Sequence, residues 1–167
     1  MVGVETDRLT LEPLRVEDAD EMVEVLADPT LYEFTGDTPP TLDELRARYE
    51  KQVRGTSADG GEEWRNWIVR ERASGHAVGF VQATISGERR DRAEIAWLIG
   101  VEWQRRGYAS EAAAALVEWF ETRGVLTIDA HVHPDNTASA GVAARVGMSS
   151  TEEVVDKETV WRRSGVS

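Results

Sequence analysis

The sequence predicts a single α/β domain in which strands and helices alternate along the chain. Short apolar or alternating segments typical of strands recur, and segments with apolar residues at helical spacing lie between them. A length of 167 residues suits one domain with a sizeable core. We therefore expect residues 1–167 to form one domain, without internal repeats or a dividing linker.

The first part of the chain is expected to contain helices as well as strands. A first helix is predicted where Ala19, Met22 and Leu26 follow helical spacing, with acidic residues near its start and a proline after its end. Thr41 is suited to cap a second helix. Gly, Ser and Asp are frequent in residues 54–63, which indicates a mobile loop. The helices are expected at residues 18–26 and 42–53, and the strands at residues 8–14, 67–70 and 76–85.

After a charged turn at residues 88–92, strands and helices are expected to continue alternating. Alternating apolar residues around Ile128 predict a strand that Pro134 ends. Asn136 is suited to cap the helix that follows, and Gly147 would lie just past the end of that helix. The strands are expected at residues 93–101, 125–132 and 154–162, and a long helix at residues 110–123.

The most informative stretch is residues 104–113, which links the expected central strand to the long helix. Gly107 in such a turn lets backbone N–H groups converge on one point, and the helix N-terminus adds partial positive charge. Arg105 and Arg106 stand beside the glycine. The spacing lacks the further glycines of a dinucleotide fingerprint and the Gly-Lys-Ser/Thr of a nucleotide P-loop. We therefore expect an anion site of another kind.

Composition argues against several classes of function. A formal net charge of -12 disfavours nonspecific nucleic-acid binding, because the phosphate backbone would be repelled, and slightly favours cationic acceptors. Without cysteine, the chain has no disulfide, no thiolate metal site and no cysteine nucleophile. No apolar run approaches a membrane span, and the start of the sequence shows no signal segment, so we expect a cytoplasmic protein without a membrane partner.

Four segments resemble the GNAT family of acyl-CoA-dependent N-acetyltransferases. Residues 104–109 match the pyrophosphate-binding motif Gln-x-x-Gly-x-Ala, and residues 134–148 are similar to Pro-x-Asn-x-x-Ser followed by a helix and Gly-Phe, with Met for Phe. Residues 6–11 and the Ala-Glu-Ile of residues 93–95 resemble the Rim-like branch, whose founding members acetylate ribosomal-protein N-termini. The four segments follow the family's order and cover nearly the whole chain.

The resemblance implies the GNAT fold, a mixed, largely antiparallel central sheet flanked by helices. The sheet would open between the strands at residues 93–101 and 125–132, and acetyl-CoA would enter that opening and pair with backbone groups. Asn136 would hydrogen-bond the pantetheine arm, serve as a plain helix cap, or do both. The other residues implied in acetyl-CoA binding are Trp97, Leu98 and Ile99 on the strand and Gln104, Arg105, Arg106, Gly107, Tyr108, Ala109 and Ser110 on the turn.

Acetyl transfer to an amine needs a neutral nucleophile, a polarised thioester carbonyl and a proton for the departing thiolate. Glu94 is the candidate base, unless it is a solvent-facing carboxylate or an arginine partner. A backbone N–H near Leu98 or Ile99 is expected to polarise the carbonyl. Many family members place a tyrosine on the helix after the Asn motif, but Ala143 stands there. Ser139 is the nearby hydroxyl for the sulfur, unless it is only a first-turn helix residue.

Two other groups of residues have plainer interpretations. His131 and His133 share one strand face, but no third ligand is evident, so no metal is expected. Trp64, Trp67 and Trp97 could line an acceptor pocket or fill the sheet face. Neither group changes the predicted chemistry.

We therefore expect an N-acetyltransferase that moves the acetyl group of acetyl-CoA to a primary amine by direct attack in a ternary complex. The acceptor could be a peptide or protein N-terminus or a small amine, and residues 31–40 and 54–64 are expected to shape its pocket. The alternative is a noncatalytic acyl-CoA-binding sensor or interaction module, which the missing tyrosine keeps open. A homodimer is compatible with the sequence.

Overall fold

The computed structural model describes residues 3–164, so both ends of the expected domain, residues 1–167, lie outside the described residues. The strands are β1 (Val4–Glu5), β2 (Leu9–Pro13), β3 (Glu63–Glu71), β4 (Ala77–Ser86), β5 (Arg92–Ile99), β6 (Thr127–Val132), β7 (Ser149–Val155) and β8 (Glu158–Ser164). The α-helices are α1 (Ala19–Val25), α2 (Leu42–Gln52), α3 (Tyr108–Glu121) and α4 (Thr137–Arg145). Over this range the strands form one sheet in the order β1-β2-β3-β4-β5-β6-β8-β7.

The sheet is mixed and largely antiparallel, which confirms the prediction. Within residues 3–164, the parallel pair is β5 with β6, and every other neighbouring pair is antiparallel. The parallel pairing runs only from Arg92 opposite Thr127 to Glu94 opposite Asp129. Because both strands continue past this point without pairing with each other, the sheet opens between their C-terminal ends, as the resemblance implied.

Hydrophobic cores cover both faces of the sheet. On one face, α3 packs the apolar stripe around Leu116 against the strands, with α4 beside it. On the other face, α1 and α2 pack around Ile68. Trp67 points to the α3 face, where it is fully buried and meets Trp119 edge-on at 5.3 Å between ring centroids. Trp97 packs partly buried against the same core. These two tryptophans therefore fill the sheet face.

The predicted helix caps are confirmed. The Thr41 side chain accepts a hydrogen bond from the Glu44 N–H at the start of α2, and the Asn136 side chain accepts one from Ser139 at the start of α4. Gly147 has a φ of 88° just past the end of α4. The part of the chain that the structure describes holds no helix with the length and apolar character that a bilayer crossing requires.

The structure corrects the C-terminal strand prediction. The strand expected at residues 154–162 is a hairpin of β7 and β8, joined by Asp156 and Lys157 with φ values of 49° and 69°. β7 is mostly exposed along its length, so its polar residues lack the apolar alternation that identifies a half-buried strand.

Other element boundaries also differ from the predictions, and one short strand was missed. α3 begins at Tyr108 rather than at residue 110, because Gly107, with a φ of 81°, is its N-cap. β3 begins at Glu63 rather than Trp67, since Glu63 already pairs with Ile85. The two-residue β1 was not predicted, being too short to show a pattern.

Candidate functional site

The gap between β5 and β6 exposes backbone groups at the end of β5. The Gly100 N–H donates to the Val78 carbonyl at 2.7 Å. Because hydrogen-bonding direction alternates along an antiparallel strand, the N–H and C=O of Trp97 and Ile99 point away from β4 and into the gap. Those of Leu98 point toward β4. Of the expected strand residues, Trp97 therefore presents its N–H and C=O to a ligand in the gap, Ile99 presents its N–H, and Leu98 presents neither group.

The turn after β5 has the geometry of an anion cradle. Arg105 and Gly107 have φ values of 65° and 81°, so the chain reverses sharply before α3. The first N–H groups of α3 lack intrahelical partners and point out of this turn. Gln104 does not reach outward, because its side-chain Nε2 donates to the Ile99 carbonyl at 2.9 Å. The turn is thus tied to the end of β5 that borders the gap.

Arg8 fastens the turn to the start of β2. Its Nη1 donates to the Arg106 carbonyl at 2.8 Å, and its Nε donates to Glu111 Oε1 at 2.8 Å. Glu111 also accepts hydrogen bonds from the Thr6 hydroxyl and the Arg8 N–H. Burial opposes ionisation of Glu111, but these hydrogen bonds outweigh it and lower the pKa of the carboxyl. This contact between residues 103 positions apart was not predicted from the sequence.

Tyr108 holds the turn from the other side. Its hydroxyl donates to the Glu71 carboxylate, and its ring lies under the Arg8 guanidinium at 4.7 Å. Arg106 Nη1 lies 3.7 Å from the same carboxylate. The hydrogen bond from Tyr108 is the largest cause of the lowered pKa of Glu71. The Tyr108 side chain therefore stabilises the turn, and its hydroxyl is already hydrogen-bonded within the protein.

Basic side chains surround the cradle. Arg105 and Arg106 are exposed on the turn itself. Arg145 reaches across from α4, with its Nη1 3.5 Å from the Ser110 hydroxyl. Ala109, the other small residue of the motif, packs against the core below the turn. The arrangement places positive charge and free amides at the mouth of the gap.

The start of α4 forms the opposite wall of the gap. Asn136 Oδ1 accepts the Ser139 N–H at 3.1 Å, so its capping role is established by geometry. Ser139 lies half-buried in the first turn of α4. Ala143 is fully buried in the α3 core, where a tyrosine would have to displace its neighbours. The packing of α4 against the core therefore accounts for alanine at position 143, where many family members have tyrosine.

A cluster of titratable side chains lies where β5 and β6 begin to part. Glu94 is half-exposed, and its Oε1 lies 3.4 Å from His131 Nε2. His133 accepts the N–H of residue 135 at its Nδ1, so its neutral form carries the proton on Nε2, and its ring lies 5.2 Å from Phe34. Burial raises the pKa of the Glu158 carboxyl, the negative charge of Glu94 adds to the rise, and the two histidines oppose it. Residues 3–164 contain no group of three or more His, Cys, Asp or Glu side chains placed to hold a metal ion.

Glu158 and His131 were not predicted as functional residues. Both reach Glu94 only through the pairing of β6 with β5 and with β8. Local sequence around either residue carries no sign of that pairing. A raised carboxyl pKa beside a second carboxylate is a common mark of acid–base chemistry.

Comparison with known proteins agrees with this geometry. The family model described as an acetyltransferase (GNAT) domain matches residues 8–149. The chain is 32% identical over 136 residues to the uncharacterized N-acetyltransferase p20 of Bacillus licheniformis, covering 80% of this chain and 75% of that protein. A solved structure of RimL, a ribosomal L7/L12 alpha-N-protein acetyltransferase in complex with coenzyme A, has a TM-score of 0.81 at 16% identity and covers 98% of both chains. The aminoglycoside acetyltransferase AAC(6')-Ib in complex with coenzyme A has a TM-score of 0.77 at 17% identity, covering 93% of this chain and 94% of that one.

Proposed function

This chain belongs to the GNAT acetyltransferase family, and we propose that it transfers the acetyl group of acetyl-CoA to a primary amine by direct attack in a ternary complex. As a family member it is an acetyl-CoA-dependent acetyltransferase. We propose the acceptor and the roles of individual residues from the geometry of the site. The observation that carries the proposal is the gap between β5 and β6, which has an anion cradle at its mouth and the carboxylate of Glu94 at its inner end. We take residues 1–167 as one catalytic domain, and we place it in the cytoplasm, where acetyl-CoA is available.

We propose that the cradle binds the pyrophosphate of acetyl-CoA. Amides from Arg105 to Ser110 would donate to the phosphate oxygens, and exposed arginine side chains would supply charge-assisted contacts. The pantetheine arm would lie along the gap and pair with the outward backbone groups of Trp97 and Ile99. Asn136 would contribute from the opposite wall while still capping α4.

We propose that a carboxylate in the gap accepts the amine proton. A lysine-like amine has a pKa of about 10 and an α-amine of about 8, so either must lose a proton before it can attack. Glu94 is the first candidate, with His131 at 3.4 Å to take up charge. Glu158 is the second, because burial raises the pKa of its carboxyl toward the range useful for a base.

We propose that a backbone N–H of Trp97 or Ile99 polarises the thioester carbonyl, since these groups point into the gap. We propose that Ser139 supplies the proton for the departing thiolate, either directly or through a water that it positions. Tyr108 cannot easily take this part, because its hydroxyl is already bound to Glu71.

Coenzyme A release with a panel of amines tests the proposal. An acetyltransferase releases coenzyme A only when an acceptor is present, whereas a noncatalytic sensor binds acetyl-CoA and releases nothing above background. The panel should contain peptide N-termini and aminoglycosides, because RimL and AAC(6')-Ib, which share this fold, are named for those acceptors. Glu94→Gln, Glu158→Gln and the double variant, assayed on the best acceptor, would then show which carboxylate takes the proton.

A further inference from the structure

A groove with an unusual local charge lies between α2 and the strands β3 and β4. Its cavity has a volume of about 240 Å³. The residues that matter to its chemistry are Arg48, Lys51, Gln52, Asn66, Gln82 and Thr84, with the Trp64 ring at one side. The chain carries 31 Asp and Glu residues, yet none of them lines this groove. We call it the α2 groove.

The α2 groove lies on the same face of the sheet as Glu94. Thr84 on β4 is directly opposite Glu94 on β5, and paired residues of an antiparallel ladder share a face. Trp64 on β3 is opposite Thr84 in turn. Since neighbouring strands lie about 4.8 Å apart, Trp64 on β3 is about 10 Å from the strand that carries Glu94, and the Lys51 ammonium of α2 lies near the Trp64 ring.

Neither positive charge of the α2 groove is held in an ion pair within residues 3–164. Arg48 and Lys51 are three residues apart on α2 and so share one face of the helix. Neither has a carboxylate within salt-bridge distance among residues 3–164. Lys51 Nζ lies 5.6 Å from the Trp64 ring centroid. Glu44, one helical turn before Arg48, accepts the Thr41 N–H at 3.0 Å and acts on Arg48 through its charge without forming an ion pair.

We propose that the α2 groove selects an acceptor that carries a carboxylate about 10 Å from its reactive nitrogen. This rests on the proposed function, because it takes Glu94 to mark the amine end. Glu94 attracts the ammonium form, while Arg48 and Lys51 bind the carboxylate through charge-assisted hydrogen bonds. A polycationic acceptor such as an aminoglycoside would meet repulsion in the same groove. The local charge thus opposes the slight preference for cations that the net charge suggested.

A peptide N-terminus with an acidic third residue fits this geometry. An extended chain advances about 3.4 Å per residue, so the third Cα lies about 7 Å from the first Cα and about 8 Å from the reacting nitrogen, and an Asp or Glu side chain spans the rest. An ω-amino acid of matching length presents the same two groups without a peptide. The shared chemistry is an amine and a carboxylate at a set spacing, and the assay distinguishes the two sources.

The test compares peptides that differ only in having Glu, Gln or Lys at the third position, together with an ω-amino acid and its matching alkylamine. Wild type is expected to favour Glu over Gln about tenfold in kcat/KM, mainly through KM, which corresponds to about 1.4 kcal/mol. The Arg48→Glu, Lys51→Glu double variant is expected to reverse this order. Arg89→Glu, which changes an exposed arginine in the turn between β4 and β5, is the matched control and is expected to keep it.

The outcomes separate this inference from the proposed function. If no amine in the panel releases coenzyme A, the proposed function is wrong. If amines are acetylated but Glu, Gln and Lys peptides react equally, or the Lys peptide is preferred, the α2 groove does not select a carboxylate. Should the charge-reversed variant not fold, wild type still decides: the Glu preference must shrink as ionic strength rises, because Arg48 and Lys51 are exposed and an exposed ion pair is screened by salt. A preference that is independent of salt overturns the inference.

Discussion

Two glycines at opposite ends of α3 offer a matched test of the anion cradle. Gly107 precedes the helix with a φ of 81°, and Gly124 follows it with a φ of 77°. An alanine in this conformation costs about 1–2 kcal/mol at either position. A new Cβ at Gly124 meets nothing within 4 Å, whereas at Gly107 it would lie 3.3 Å from Arg8 Nη2. Both variants should therefore lose similar stability, but only Gly107→Ala disturbs the cradle.

Thermal unfolding and calorimetry would measure the two effects separately. Both variants are expected to unfold about 2–8 °C below wild type, since each kcal/mol shifts the midpoint of a domain of this size by about 2–4 °C. Acetyl-CoA affinity is expected to fall at least tenfold in Gly107→Ala, about 1.4 kcal/mol, and to stay unchanged in Gly124→Ala. Equal affinities in the two variants would show that the turn does not hold the pyrophosphate.

Three further predictions concern individual side chains. Glu94→Gln should keep acetyl-CoA affinity but lower turnover about 10²-fold at neutral pH, with partial recovery as rising pH supplies neutral amine; wild-type turnover would leave Glu94 a structural residue. Ser139→Ala should slow single-turnover acetyl transfer without weakening acetyl-CoA binding, and an unchanged rate would assign Ser139 to the helix alone. Glu111→Gln should destabilise the protein by about 2 kcal/mol at neutral pH. The folded pKa of Glu111 is lowered, so its stabilisation is present above the ordinary pKa of 4.5 and is lost as pH falls through the folded value. Denaturant unfolding should therefore show the variant and wild type converging in acid, and a pH-independent difference would contradict the ionic role.

The parts of the site that the sequence predicted are local in the chain. The turn at Gly107 and the cap at Asn136 each depend on residues within a few positions of one another, so their conformations follow from glycine freedom and side-chain capping. The resemblance supplied the mixed, largely antiparallel sheet and its opening between the strands expected at residues 93–101 and 125–132. Local conformational preferences and the family resemblance together were enough to locate the cradle and the opposite wall of the gap.

The parts that the sequence did not predict depend on contacts between distant segments. The Arg8 side chain reaches Glu111 across 103 positions, and His131 meets Glu94 only because β6 lies parallel to β5. Glu158 joins that cluster through the hairpin that was predicted as a single strand. The local sequence around each residue does not indicate its partner, and the contact becomes predictable only when strand order and register are known.

The position of Ala143 has a consequence for the proposed chemistry. Because Ala143 is fully buried between α4 and α3, a tyrosine hydroxyl cannot approach the gap from that point on α4. Tyr108 is no substitute, since its hydrogen bond to Glu71 raises the pKa of the phenol and leaves it a weaker acid. What remains at the wall of the gap is Ser139 or a water beside it. A thiolate is a good leaving group and needs little help from an acid, so we infer that this enzyme relies on deprotonating and positioning its amine more than on protonating its sulfur.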